Sequence, residues 1–137
     1  MIELLRLKYF YFILYGFIFV ASISVNKIKA DQEINLKADT ITVKDNGQIV
    51  EAKGNALAID EKNQTISSDI IIYNKVNDEL TAEGRVVIND SNDNTYFIDR
   101  LISSNGIDDV KGLNVRARLD DDSRAVGKNL IKKDNIS

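Results

Sequence analysis

From Gln32 onward apolar and polar residues alternate in short runs, and no stretch sustains the recurrence of an amphipathic helix. A period of two is the mark of half-buried antiparallel strands. The runs are divided by Asp45-Asn46-Gly47, Asp60-Glu61-Lys62-Asn63, Asn77-Asp78, Asp90-Ser91-Asn92-Asp93-Asn94 and Asn105-Gly106. Such residues bond their own backbone and tolerate left-handed φ, which suits hairpin connections. The pattern predicts about nine or ten strands.

The chain also repeats itself. Residues 38–60 (ADTITVKDNGQIVEAKGNALAID) align with residues 68–90 (SDIIIYNKVNDELTAEGRVVIND), and a weaker third copy begins at Asp99-Arg100-Leu101. Asp39 matches Asp69, Ile41 matches Ile71, Ala52 matches Ala82, Gly54 matches Gly84 and Asp60 matches Asp90, each pair 30 residues apart. Each copy reads strand, hairpin turn, strand, Gly, strand, with the Gly where the chain bends sharply or passes close to a neighbour. A unit this small cannot bury its apolar face alone. Stacked units are expected to close two twisted antiparallel sheets over a shared interior, an all-β jelly roll or β-solenoid-like sandwich.

Alternation assigns the faces of that sandwich. Ile41 and Val43, Val50 and Ala52, and Leu57 and Ile59 point inward in the first copy. Ile71 and Tyr73, Leu80 and Ala82, and Val87 do so in the second, followed by Phe97, Leu101, Leu113, Val115, Ala117 and Leu119. Aliphatic stripes of this kind are ordinary core in most domains.

The first 30 residues differ in kind. Arg6 and Lys8 precede an apolar run, Tyr9 to Val25, and Asn26-Lys27-Ile28-Lys29-Ala30 follows. This is the order of a secretory signal with cleavage after Ala30, although Ile28 replaces the usual small residue. The alternative is an uncleaved inner-membrane anchor through residues 9–25. Either way residues 31–137 form one exported domain.

Composition removes whole classes of mechanism. The chain has no Cys, His, Trp or Pro, so thiolate or imidazole zinc sites, Ser-His-Asp triads and Cys nucleophiles cannot be built. The first 30 residues hold four of the 18 basic and one of the 21 acidic residues, which leaves the remainder with a surplus of six acids. That field repels nucleic acid, which is not expected as a partner. Asp39, Asp69 and Asp99 recur with the repeat, which points to a shared turn or strand-end hydrogen bond rather than catalysis. Asp90 to Asn94 and Asp120 to Asp122 lack the Gly and terminal Glu of a calcium loop, and no metal or cofactor is expected. Arg100, Arg116, Arg118, Arg124 and Lys128 gather in the last third, as a solvated face or as contacts for phosphate or another anionic partner.

Three segments carry a family resemblance: ADxI...NGxIVEAxGN at 38–55, DxIIY...xLTAEGxVVI at 69–88, and Tyr96-Phe97-Ile98-Asp99-Arg100-Leu101. They resemble the OstA-like domain of lipopolysaccharide transport over residues 36 to 131. The last segment, with Asn114 to Leu119 and Asp122-Ser123-Arg124, looks more like the amino-terminal periplasmic domain of the outer-membrane lipopolysaccharide-assembly protein than the free bridge protein. The resemblance implies a fragment of a longer protein, in the periplasm and associated with the outer membrane. It implies a twisted jelly roll that carries lipid A acyl chains along an apolar groove lined by Ile41, Val43, Leu57, Ile59, Ile71, Tyr73, Val87, Phe97 and Leu101. It also implies edge-strand docking to other jelly-roll domains of the transport bridge and contact with outer-membrane assembly components. No enzymatic activity is expected. The competing expectation is an interaction module for barrel assembly, with a closed interior and no lipid.

Overall fold

The computed structural model describes residues 33 to 133; the leader and its two alternatives, and the end of the chain beyond 133, lie outside the described residues. The chain is all-β. Strands β1 (Asn35–Lys37), β2 (Thr40–Lys44), β3 (Ile49–Ile59), β4 (Thr65–Asn74), β5 (Glu79–Asn89), β6 (Thr95–Ser104), β7 (Asp109–Arg118) and β8 (Arg124–Lys132) form one open antiparallel sheet. From β3 to β8 it is a meander, each strand pairing with the next. β1 and β2 lie in line along the free edge of β3, broken at Ala38-Asp39.

The pairing of strands β3 to β6 is interrupted near the middle of each. Pairing of β3 with β4 passes from Lys53↔Ile70 to Ala56↔Ser68, so Gly54 and Asn55 together oppose Asp69. Pairing of β5 with β6 passes from Glu83↔Arg100 to Val86↔Ile98, so Gly84 and Arg85 together oppose Asp99. These are two-residue bulges with left-handed backbone: φ is 75° and 46° at Gly54 and Asn55, and 78° and 49° at Gly84 and Arg85. A bulge bends its strand, and here the bends align across the sheet in one row. Side chains stitch that row together. Asn55 Nδ2 donates to Asp39 Oδ2 (3.0 Å), Arg85 Nε donates to Asp69 Oδ1 (3.1 Å), and Asn114 Nδ2 donates to Asp99 Oδ2 (2.8 Å).

The bend folds the sheet back on itself. The β3–β4 turn and the β6–β7 turn stand at opposite ends of the strands, which a flat ten-residue strand would hold about 33 Å apart. Yet Lys62 Nζ of the first lies 2.8 Å from Asp108 Oδ2 of the second. One face of the sheet is thereby covered by its own other half. Ala52, Ile71, Leu80, Ala82 and Leu101 on one side of the bend, and Ala56, Ala58, Ile66, Val86, Ile88 and Ile98 on the other, form a single buried cluster.

Three details of the all-β expectation need correction. The described residues form eight strands where about nine or ten were expected, because a strand on either side of a bulge Gly is one bent strand. The two layers of the sandwich are halves of one continuous sheet, not two separate sheets. The inward set also changes: Leu57, Ile59, Val87, Phe97 and Leu113 lie on the outer face, and the buried positions are Ala56, Ala58, Val86, Ile98 and Gly112. The extra residue at each bulge offsets the change of face at the bend. Even-numbered positions of β3 therefore stay inward throughout, while β4 switches from Ile66 and Ser68 to Ile71.

A Cβ built on Gly84 would lie 2.5 Å from Asp69 Oδ2, whereas one on Gly47 (φ 90°) meets nothing within 4 Å. Gly84→Ala is therefore expected to cost about 2–3 kcal/mol, from both strain and clash, and Gly47→Ala about 1 kcal/mol from strain alone. Urea unfolding of the two variants checks the difference.

Candidate functional site

The inner face offers the best candidate site, because it is apolar and reaches the sheet's edge uncovered. One register row crosses it as Ile41, Ala52, Ile71, Ala82, Leu101, Gly112 and Leu130. The neighbouring row holds Val43, Val50, Tyr73, Leu80, Ser103 and Val110. At the centre these side chains are sealed: Ile71, Leu80 and Leu101 have no solvent exposure. At the β2 edge they are not, and Ile41 and Val43 stand 47% and 60% exposed although their partners Ala52 and Val50 are buried.

The expected groove residues thus divide into four groups. Ile71 and Leu101 lie in the central core, Tyr73 is half-buried beside them, and Ile41 and Val43 form the open edge. Leu57, Ile59, Val87 and Phe97 are on the opposite face and meet none of the others across the interior. Sequence reasoning missed Ala56, Ala58, Ile66, Val86, Ile88 and Ile98, which line the interior beyond the bend. The Gly-plus-one spacing at 54–55 and 84–85 was the available signal, since a two-residue bulge keeps the earlier phase of alternation.

Opposite the bend, the folded sheet is closed by polar side chains. Gln64 is 2% exposed, Asp60 6% and Asp108 4%. Gln64 Nε2 donates to Asp60 Oδ2 and Asp108 Oδ1, both at 2.9 Å. Its Oε1 accepts from Lys132 Nζ at 2.7 Å, and Lys62 Nζ donates to Asp108 Oδ2 at 2.8 Å. One amide thereby ties the β3–β4 turn to the β6–β7 turn and to the end of β8. Buried carboxylates are tolerable here because each is charge-paired or multiply hydrogen-bonded.

The repeated turns are built alike. Asp60 Oδ1 accepts from the N–H groups of Lys62 and Gln64 (2.9 and 2.8 Å), and Asp90 Oδ1 accepts from those of Asn92 and Asn94 (2.9 and 3.0 Å). Tyr96 Oη also donates to Asp90 Oδ2 at 3.3 Å. Burial works to raise the Asp90 pKa, but the Asn94 side chain, the two N–H groups and the charge of Lys132 outweigh it and hold it below the ordinary value. The Tyr96 phenol is pushed up by burial and by the Asp90 charge. Asp90 Oδ1 closes the Asx turn, and Oδ2 is held by the Asn94 amide and Tyr96. Among the described residues no cluster of three or more Asp, Glu, His or Cys side chains is placed to hold a metal ion. Among the same residues no helix is long and apolar enough to cross a membrane.

Comparison of the chain with protein-family models finds no match, and comparison with curated proteins finds none either.

Gln64→Leu removes three hydrogen bonds and leaves Asp60, Asp108 and Lys132 short of partners; a loss of about 2–4 kcal/mol is expected in chemical unfolding. The pH dependence follows from Asp90. Its folded pKa lies below its unfolded one, so its stabilisation is full above about pH 4 and is lost as the pH falls through the folded value. Asp90→Asn should therefore flatten the stability profile in that acid window, which thermal melts across pH 2 to 6 or so would read.

Proposed function

We propose that the domain is a non-enzymatic lipid carrier of periplasmic lipopolysaccharide transport, which holds acyl chains against its apolar inner face and docks to like domains through its edge strands. The observation that carries this reading is the β2 edge. Ile41 and Val43 continue the buried rows of the interior but lie open to solvent. An apolar face that runs out uncovered at an unpaired edge suits both an acyl chain entering there and a neighbour's strand adding on. The sequence resemblance to the OstA-like domain supplies the lipid class and the periplasmic setting.

Such a carrier needs no chemistry. An acyl chain gains roughly 0.8 kcal/mol for each CH₂ buried, and aliphatic contact returns about what membrane contact gave. Transfer is then near neutral, and direction has to come from the rest of a transport complex.

The second reading is an interaction module for outer-membrane barrel assembly with a closed, dry interior. The sealed centre at Ile71, Leu80 and Leu101 and the Gln64 bridge favour it. Photocrosslinking separates the two. A photoreactive residue is placed in turn at Ile41, Val43 and Leu101, and at outward Val87 and Lys111, in cells carrying labelled lipopolysaccharide. The carrier predicts labelling at the first three positions only. Silence at all three in a folded, exported protein, or equal labelling on both faces, would leave the closed module as the better account.

A further inference from the structure

The last hairpin gathers three arginines on the outer face. Arg118 and Arg124 are direct cross-strand partners, while Arg116 lies two residues along β7, opposite Val126 on one side and Phe97 on the other. Direct partners stand about 5 Å apart at Cβ, and like charges so placed repel. Some other cations of the outer surface meet acids. Arg100 pairs with Glu83 at 2.9 Å, and Lys53 and Lys44 pair with Glu51 at 2.8 and 3.2 Å. Glu51 is held below its ordinary pKa by those two lysines.

Among the described residues, Arg116, Arg118 and Arg124 enter no ion pair. The acids of the adjoining turn do not supply one: Asp121 accepts the Ser123 N–H at 2.9 Å, and Asp120 and Asp122 are likewise outside ion-pair distance of the three. Three arginines without an ion pair among the described residues are thus neighbours in register on one hairpin, in a chain of net charge −3. The three residues line a largely apolar hollow of about 410 Å³, crossed by the Ala117–Ala125 pair and flanked by Phe97 and Val126. Those two apolar side chains are 43% and 84% exposed.

We propose that this hollow binds a phosphate monoester carried on an amphiphile. Guanidinium forks match phosphate oxygens in bidentate geometry, and a doubly charged anion relieves the Arg118–Arg124 repulsion, which no ion pair among the described residues offsets. Phe97 and Val126 supply apolar contact for the first methylenes of the attached chain. The site is on the outer face, so its occupation and the interior lipid path can fail independently.

The test uses the full chain with three probes: dodecyl phosphate, dodecyl maltoside and inorganic phosphate, followed by NMR of the arginine Nε–H resonances. Dodecyl phosphate is expected to shift Arg116, Arg118 and Arg124 but not the paired Arg100. Its affinity should fall about tenfold or more in R118Q/R124Q and less in R118K/R124K, since lysine keeps charge without the fork. Because the double variant removes repulsion, its melting temperature should hold or rise, which guards against misfolding as the cause. Inorganic phosphate binding as tightly as dodecyl phosphate would retain the anion site and refute the amphiphile. Equal binding of dodecyl maltoside, or unchanged affinity in R118Q/R124Q, would overturn the proposal. So would a variant that alters only self-association, which would mark the patch as a contact for the acidic surface of a second copy.

Discussion

The row of bends is the constraint on which everything else depends. A single antiparallel sheet of eight strands has two faces and, if flat, no means of burying either. Here Gly54-Asn55 and Gly84-Arg85 insert an extra residue opposite Asp69 and Asp99, and the strands turn together. The left-handed φ values are strained for Asn and more so for Arg. That strain is offset locally, because in each case the side chain of the strained residue reaches a carboxylate across the row: Asn55 to Asp39, Arg85 to Asp69, Asn114 to Asp99. The Asp69 pKa is held below its ordinary value by Arg85, consistent with a carboxylate kept charged at the bend.

Once the sheet is bent, its chemistry sorts by position. The inside of the fold collects Ala, Ile, Val and Leu, with alanines at 52, 56, 58 and 82. The far rim cannot be apolar, because turns meet there and carry backbone groups that must be satisfied. Gln64 resolves this with one side chain that both donates and accepts, joining two carboxylates and an ammonium. Bend and bridge thus hold the fold from opposite sides, one by backbone conformation and the other by buried polar contacts.

Much of this was legible in the sequence, and most of the failures share one cause. Alternation and turn residues identify an all-β chain, and the 30-residue repeat by itself picks out Asp39, Asp69, Asp99, Gly54 and Gly84. What the repeat does not reveal is that these residues lie side by side in space. The aspartates were expected at turns or strand ends; only Asp39 lies at such a break, while Asp69 and Asp99 are inside β4 and β6. Treating each Gly as a strand boundary inflated the strand number. It also reset the phase of alternation, which sent Leu57, Ile59 and Val87 inward in place of the smaller Ala56 and Ala58 and of Val86. Larger apolar side chains look like better core, but the buried rows alternate small with large, Ala52 beside Ile71 and Ala58 beside Ile66. The Arg118–Arg124 juxtaposition was equally hidden, since the arginines become neighbours only through the register of β7 with β8.

The interior presents a tension that bears on any lipid it holds. Its centre is packed without exposure, so an acyl chain can lie fully inside only if the two halves of the sheet spread apart. Spreading about the bend keeps the strand pairing and the carboxylate contacts of that row, because both run along the hinge. It must, however, separate the turns joined by Gln64, Asp108 and Lys62. The edge at Ile41 and Val43 faces no such obstacle, since its apolar residues are already uncovered. A lipid that begins at β2 therefore replaces water before it displaces protein, and deeper entry is opposed chiefly by the buried polar bridge. Whether the domain carries or excludes lipid thus turns on the strength of that bridge relative to the methylenes it would admit.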